Sequence, residues 1–120
     1  MTSTVYHAES SARVFKGVAE DYIAIHDWFD ASKEMFADFR HRALRHHSQG
    51  IFEAERVFGH SITNSDGKII PVRYIGEQHV LEDCGGKIPT VADWLSAIKA
   101  EPWMARATPT LLKHGTRETR

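Results

Sequence analysis

Histidine and arginine side chains are concentrated in one short stretch of the chain. Between Arg40 and His47 the sequence Arg-His-Arg-Ala-Leu-Arg-His-His places three arginines and three histidines in eight positions. Imidazole binds divalent transition metals such as zinc, whereas guanidinium groups bind phosphates and carboxylates. The stretch therefore predicts a polar site for a metal ion, an anion or both.

Helical spacing limits how a single helix could use these side chains. At about 100° per residue, His41 shares a polar face with Asp38 and Arg45, whereas His46 and His47 flank an apolar stripe. Two histidines that hold zinc from one helix are usually four residues apart, and His41 and His46 are five apart. We therefore expect His46 and His47 at the edge of the core, where other helices could meet them, and His41 on a solvated face.

A metal site assembled between helices is the first hypothesis for function. Its candidate histidine ligands are His7, His46, His47 and His79, and its candidate further ligands or base are Glu53, Glu77 and Asp83. A single cysteine is too few for a cysteine-rich zinc site, so the donors would be nitrogen and oxygen, which suit a divalent transition metal such as Zn. An open position on the ion could activate water. Convergence of these histidines in a cleft would favour this hypothesis, and separate hydrogen bonds to carbonyls would favour ordinary histidines at the edge of the core.

Anion binding by Arg40, His41, Arg42 and Arg45 is the second hypothesis. Together with a metal, such a patch would suit hydrolysis of a phosphate-containing substrate. The pair His26-Asp27, with His7 before it and Asp83 after it, follows the ligand order of HD-type phosphohydrolases, although a His-Asp dipeptide arises easily by chance. The competing explanation is that the arginines pair with carboxylates on the same or a neighbouring helix.

A non-catalytic interaction module or homo-oligomer is the third hypothesis. Trp94 and Trp103, the basic tail and the edge of a predicted hairpin could contact a protein partner or pair with a second copy. The tail carries too few charges, with no interleaved aromatic residues, to favour nucleic acid.

The elements that must position these residues are predicted to be mainly helical, with a minor β component. Three N-terminal helices are expected over residues 4–16, 19–29 and 31–58, the third with a tolerated glycine or a break near 48–50. Its apolar positions, including Phe36, Phe39 and Val57, should be buried.

The second half of the chain changes character. Asp66-Gly67 predicts the turn of a β-hairpin at about residues 61–75, in which Pro71 marks an edge strand or its end. Two short C-terminal helices, over 76–84 and from Thr90 to Pro102, should close the core. Thr90 and Asp93 have the spacing of a capping box, and Leu95 and Ile98 should be buried. We expect a single domain over residues 1–104 and a polar, mobile tail over 105–120.

Bulk composition bounds the remaining possibilities. A chain of 120 residues with 42% hydrophobic and 26% charged residues suits one soluble domain. A net charge of −1 provides no general attraction for nucleic acid or membrane. The single cysteine, and the lack of a signal-like or membrane-spanning apolar run, predict a cytoplasmic protein.

Several short motifs together resemble one family of small bacterial and phage proteins. These motifs are His7-Ala8, Ser11-Ala12-Arg13, Glu20-Asp21-Tyr22, residues 25–30, residues 39–47, residues 76–80 and Ile88-Pro89-Thr90. The resemblance covers about residues 6–98. The family is known as a domain of unknown function, so the resemblance implies kinship and supplies no catalytic residues.

Overall fold

Helices make up most of the fold, and one small hairpin accompanies them. The structure is a computed structural model that describes residues 3–105. Its elements in chain order are α1 (Thr4–Phe15), α2 (Ile23–Asp30), α3 (Arg42–Arg45), α4 (Ser48–Phe58), β1 (Ser61–Thr63), β2 (Ile69–Pro71), α5 (Val72–Asp83) and α6 (Val91–Leu95). Short 3₁₀ helices occupy Ala19–Asp21, Ala31–Glu34, Phe39–His41 and Pro102–Ala105. The prediction of a mainly α fold with a minor β component is confirmed.

Helix α1 turns polar side chains toward the interior. Ser3 caps it by accepting a hydrogen bond from the backbone N–H of Tyr6 at 3.2 Å. Its buried residues are His7, Ala8, Ser10 and Ser11. Because buried polar groups need partners, this face predicts a hydrogen-bonded network inside the domain.

Helix α2 begins after a 3₁₀ turn and carries both apolar and polar groups inward. Ile25 and Phe29 are buried in the core, and His26 and Asp30 are buried beside them. Residues four apart lie on the same face of a helix, so His26 and Asp30 point in similar directions.

The third predicted helix is wrong as a continuous element, because the chain breaks at His46 and His47 between α3 and α4. His47 adopts an extended backbone with φ −163°, and its Nδ1 accepts the backbone N–H of Gly50 at 2.9 Å. Gly50 packs so closely under the preceding turn that a Cβ there would overlap the Arg45 carbonyl oxygen. Gly50 therefore lies in the first turn of α4, where its lack of a Cβ permits the tight break that precedes the helix.

The hairpin is shorter than predicted. Ile62 pairs with Ile70, and Asn64 Oδ1 accepts the backbone N–H groups of Asp66 and Lys68 across the turn. Strand β2 ends at Pro71, whose φ of −62° suits the residue before a helix. Helix α5 consequently begins at Val72 and not near residue 76.

Helix α5 lies at the centre of the packing, because it contacts α1, α2 and α4. Gly76 lets it approach α2 closely: a Cβ at this position would lie 3.0 Å from the Phe29 ring. The buried apolar core comprises Ala8, Tyr22, Ile25, Phe29, Ile51, Ala54, Ile70, Val72, Ile75 and Val80.

Several positions predicted to be buried lie at the surface. Phe36, Phe39 and Val57 are exposed because the helix that would have aligned them is broken into separate turns. Leu95 and Ile98 are also exposed, and α6 ends at Leu95, before the predicted end at Pro102. The capping box of Thr90 and Asp93 is present, with reciprocal hydrogen bonds of 2.9 and 3.1 Å.

The predicted tail falls almost entirely outside the described residues, which end at 105. None of the helices within residues 3–105 combines the length and the apolarity needed to cross a bilayer.

Candidate metal centre

Five buried side chains from four segments converge in the interior, and we call them the His/Asp cluster. They are His7 on α1, Asp30 on α2, His46 at the break before α4, and His79 and Asp83 on α5. The three histidine side chains are fully buried, and those of Asp30 and Asp83 are 7% and 3% exposed.

Donor atoms of His7, Asp30, His79 and Asp83 all lie within 4.8 Å of one another, and His46 adjoins three of these residues. His79 Nε2 is 3.2 Å from Asp30 Oδ1, 3.1 Å from His46 Nε2 and 3.3 Å from Asp83 Oδ2. His46 Nε2 is 3.0 Å from Asp83 Oδ2 and 3.5 Å from Asp30 Oδ1, and His7 Nε2 is 3.2 Å from Asp83 Oδ1. Ligand atoms about 2.0–2.2 Å from a metal ion are separated by similar distances. The cluster could therefore hold a metal ion.

Some of these atoms lack a hydrogen-bond partner. Among residues 3–105, the buried side-chain atoms without one include His7 Nε2, Asp30 Oδ2 and Asp83 Oδ1. Unpartnered buried polar atoms are uncommon in folded proteins, and they often mark an ion or a functional site.

The two carboxylates remain strongly acidic despite their burial. Burial raises the pKa of Asp83, but the adjacent imidazoles of His46, His7 and His79 outweigh it and hold the pKa far below the usual range. Burial likewise raises the pKa of Asp30, and hydrogen bonds from His46 and His79 reverse the shift. Both groups are thus carboxylates at neutral pH, the form that binds cations.

The pKa values of His7 and His26 shift in opposite directions. Burial lowers the pKa of His7, but the adjacent carboxylates of Asp83 and Glu82 outweigh it and raise the pKa above 6.5. Burial and the neighbouring His79 and His7 lower the pKa of His26 to about 2. His26 is therefore a neutral imidazole beside the cluster.

Three of the four histidines predicted as ligands converge, and one does not. His7, His46 and His79 converge, together with Asp83. His47 does not join them, because its Nδ1 is used to cap α4.

The other predicted acidic ligands also lie elsewhere. Glu77 is partly exposed and forms an ion pair with Arg73 at 3.8 Å. Glu53 lies on α4, and among the described residues no hydrogen bond joins it to the cluster. Asp27, which would follow His26 in the HD-type order, is exposed, and Asp30 takes the inward position one turn later.

The predicted anion patch is divided among separate partners. Arg40 forms an ion pair with Asp38 at 2.7 Å. Arg42 and Arg45 donate to the backbone carbonyls of Asp83 and Trp28, at 3.2 and 2.6 Å. The prediction of a solvated His41 is wrong.

His41 lies on the 3₁₀ helix Phe39–His41, where its side chain is buried and its Nδ1 is 2.9 Å from Ser32 Oγ. The helical spacing that placed His41 on a solvated face assumed one continuous helix, whereas His41 ends a separate 3₁₀ helix, Phe39–His41, before α3 begins. Binding of a free anion by this region stays a prediction.

Comparison with known proteins places the chain in a family. A family model described as "Domain of unknown function (DUF6915)" matches residues 2–104. The chain belongs to the DUF6915 family. No curated protein and no solved structure matches it. The description of DUF6915 names no activity, so evidence for the function of this chain comes from its site.

The site of this DUF6915 domain includes residues that the sequence analysis missed. Asp30 is a member of the cluster, and Glu82 accepts hydrogen bonds beside it. A repeated spacing could have revealed Asp30, since His26 and Asp30 on α2 have the same separation as His79 and Asp83 on α5. Two His-x₃-Asp pairs on helices place four candidate donors on two faces.

A shallow surface depression reaches the cluster at Asp30. Its lining consists of Thr4, Asp27, Asp30, Ala31, Lys33 and Glu34. Lys33 Nζ lies 3.8 Å from Asp30 Oδ2, the oxygen that has no hydrogen-bond partner. The DUF6915 site therefore has one edge close to solvent.

Proposed function

We propose that this DUF6915 domain is a metal-binding protein whose His/Asp cluster holds a divalent first-row transition metal such as Zn²⁺. The ligands would be the Nε2 atoms of His7, His46 and His79 and the carboxylates of Asp30 and Asp83. The observation that supports this proposal is that donor atoms of His7, Asp30, His79 and Asp83 lie within 4.8 Å of one another. His46 Nε2 adjoins them, at 3.0–3.5 Å from atoms of Asp83, His79 and Asp30.

Charge supports a cation at this position. Asp30 and Asp83 bring two negative charges into the interior, and buried charges require compensation. His7 Nδ1 lies 2.7 Å from Glu82 Oε1, so it carries a proton and leaves Nε2 as the ring atom directed toward Asp83. A divalent ion would displace the imidazole protons that these carboxylates accept in the metal-free protein, and its charge would compensate theirs.

The mixture of donors favours a transition metal over calcium or magnesium. Three imidazoles suit Zn²⁺, Fe²⁺, Ni²⁺ or Cu²⁺, whereas calcium and magnesium prefer sites made of oxygen atoms.

A hydrolytic role is the more specific form of the proposal. The depression beside Asp30 would allow water or a substrate to approach a bound ion, and Lys33 at its rim could contact a phosphate. A bound divalent ion supplies a Lewis acid and lowers the pKa of a coordinated water.

Elemental analysis of untagged protein, purified without chelator, tests the proposal. We expect about one equivalent of transition metal per chain, as one cluster would hold one ion. The Asp83→Asn variant removes one carboxylate ligand and should lower the affinity for Zn²⁺ by more than about 100-fold. His60→Gln is the matched control, because His60 is exposed and lies outside the cluster.

The same preparations separate the possible outcomes. Bound metal together with hydrolysis of bis-p-nitrophenyl phosphate, lost in Asp83→Asn, would support the enzyme. Bound metal without turnover would support a structural ion and contradict the proposed hydrolytic role. No stoichiometric metal, and no thermal shift with Zn²⁺, Ni²⁺ or Mn²⁺, would overturn metal binding and leave the interaction module as the better explanation.

A further inference from the structure

A chain of hydrogen bonds outside the His/Asp cluster begins at the carboxylate of Glu82. Glu82 Oε2 accepts from Gln78 Nε2 at 3.1 Å and from Ser10 Oγ at 2.5 Å. Gln78 Nε2 also donates to the backbone carbonyl of His7 at 3.3 Å. A carboxylate and a carbonyl can only accept, so the Gln78 amide has one orientation, with Oε1 directed toward Ser11.

The direction of the next hydrogen bonds follows from that orientation. Ser11 is fully buried, and its hydroxyl donates its only proton to Gln78 Oε1 at 2.7 Å. The second partner of Ser11 Oγ is His26 Nε2, also at 2.7 Å. Because the hydroxyl proton is already used, Ser11 accepts here, and His26 carries its proton on Nε2.

His26 then determines the protonation of His79. A neutral His26 with a proton on Nε2 has a lone pair on Nδ1, which lies 2.9 Å from His79 Nδ1. His79 must therefore donate from Nδ1. Its Nε2 remains directed at Asp30, His46 and Asp83.

The same glutamate also orients a second ligand. Glu82 Oε1 accepts from His7 Nδ1 at 2.7 Å, which leaves His7 Nε2 to face Asp83. Hydrogen bonds of this kind fix the tautomer and the ring orientation of histidines that bind metals.

We propose that Glu82, Gln78, Ser11 and His26 are positioning residues that fix the proton on Nδ1 of His79 and thereby present its Nε2 to a metal ion. This inference rests on the proposed function. It also assigns His26, which lies within ligand distance of His7 and His79, to the surroundings of the metal and not to its ligands. Both ring nitrogens of His26 are already used.

Long-range ¹H–¹⁵N NMR correlations of the imidazole rings test the proposal directly. In metal-free protein we expect His26 as the Nε2–H tautomer and His79 protonated at Nδ1. After loading with Zn²⁺, His79 should keep its Nδ1 proton and show a metal-bound Nε2, while His26 should be unchanged. A His26 protonated on Nδ1, or zinc on a His26 nitrogen, would overturn the proposal.

Ser11→Ala is the critical variant, and Ser32→Ala is its matched control. Both remove a buried hydroxyl that contacts a histidine ring, but Ser32 contacts His41 and lies outside the chain to His79. In Ser11→Ala the His26 tautomer is no longer fixed, so affinity for Zn²⁺ should fall about 10–100-fold. Ser32→Ala should retain the tautomers of His26 and His79 and the affinity. Equal effects in the two variants would overturn the assignment.

A second pair of variants covers the case in which Ser11→Ala does not fold. Glu82→Gln removes the carboxylate that fixes Gln78 and His7, and should weaken Zn²⁺ binding about 10–100-fold. Glu77→Gln, on the same helix and paired with Arg73, should not. If the protein binds no zinc, metal binding fails, but the tautomers of His26 and His79 in metal-free protein still confirm or refute the hydrogen-bond chain.

Discussion

At the scale of single residues, one side-chain type serves several chemical roles in this domain. His7 is held with a raised pKa by two carboxylates, whereas burial lowers the pKa of His26 to about 2. Burial also lowers the pKa values of His41 and His47. His41 contacts the hydroxyl of Ser32, and His47 caps α4. The environment of each ring, and not the abundance of histidine, decides which can bind a metal.

The opposite shifts of His7 and His26 predict a stability maximum near pH 6.5 in the metal-free protein. Below 6.5 the unfolded chain protonates His26 and the folded chain does not until about pH 2, so stability falls as pH decreases. The raised pKa of His7 stabilises the fold below 6.5, and this contribution is lost as pH rises through its folded pKa.

Urea unfolding in the presence of chelator measures this profile. Work above about pH 5.5 keeps most carboxylates of the unfolded chain ionised. His26→Gln should reduce the loss of stability on the acid side, with His41 and His47 supplying the remainder, and His60→Gln should leave the profile unchanged. A wild-type protein that becomes steadily more stable below pH 6.5 would contradict the prediction.

At the scale of elements, the break between α3 and α4 places His46 in the cluster. A continuous helix would direct His46 and His47 to either side of one stripe. The extended backbone of His47 instead lets His46 reach α5 while His47 caps α4. Trp94 Nε1 supports the break by donating to the His46 carbonyl at 3.0 Å, and the Ser48 backbone N–H donates to Pro89 at 2.9 Å.

Gly50→Ala should disturb both the fold and metal binding. Its Cβ would overlap the Arg45 carbonyl, whose carbon lies 2.6 Å away, so the break must shift and His46 with it. We expect a loss of about 1–3 kcal/mol in the free energy of unfolding, typical of an overpacked site, and weaker Zn²⁺ binding. Urea unfolding and zinc titration measure the two effects.

Gln49→Ala is the control, because it adds alanine at an exposed neighbouring position of the same helix. Wild-type affinity and stability in Gly50→Ala would show that the close approach to Arg45 does not matter for the site.

At the scale of the whole molecule, the cluster joins parts of the chain that are far apart in sequence. Its members range from residue 7 to residue 83 and come from α1, α2, the break and α5. A ligand that binds only the folded state raises its stability by mass action, and a preformed site rarely exists in the unfolded chain. A metal bound here would stabilise the packing of these segments as a unit.

Removal of metal should therefore lower the melting temperature of the wild-type protein. At free Zn²⁺ about 100 times the dissociation constant, the stabilisation would be about 2.7 kcal/mol. Calorimetry before and after dialysis against chelator measures the change, and Asp83→Asn should show little response. Identical melting curves for zinc-loaded and metal-free wild-type protein would contradict this prediction.

Local features of the sequence determined much of the fold and part of the candidate site. Capping by Ser3, the Asp66-Gly67 turn and the box of Thr90 and Asp93 act within a few residues, so α1, the hairpin and the start of α6 were predictable. The residue types also indicated His7, His79 and Asp83 as candidate metal ligands.

Only the tertiary structure decided which of the remaining side chains meet. His46 and not His47 enters the cluster because the chain breaks between α3 and α4. Gly50 and contacts from residues 89 and 94 fix that break. Residues 89 and 94 are too far along the chain for the helical spacing of residues 40–47 to reveal these contacts. The roles of Asp30 and Glu82 depend on how α1, α2 and α5 pack around Phe29 and Gly76. Helical spacing predicts which side chains share a face, but packing between distant segments determines which faces come together.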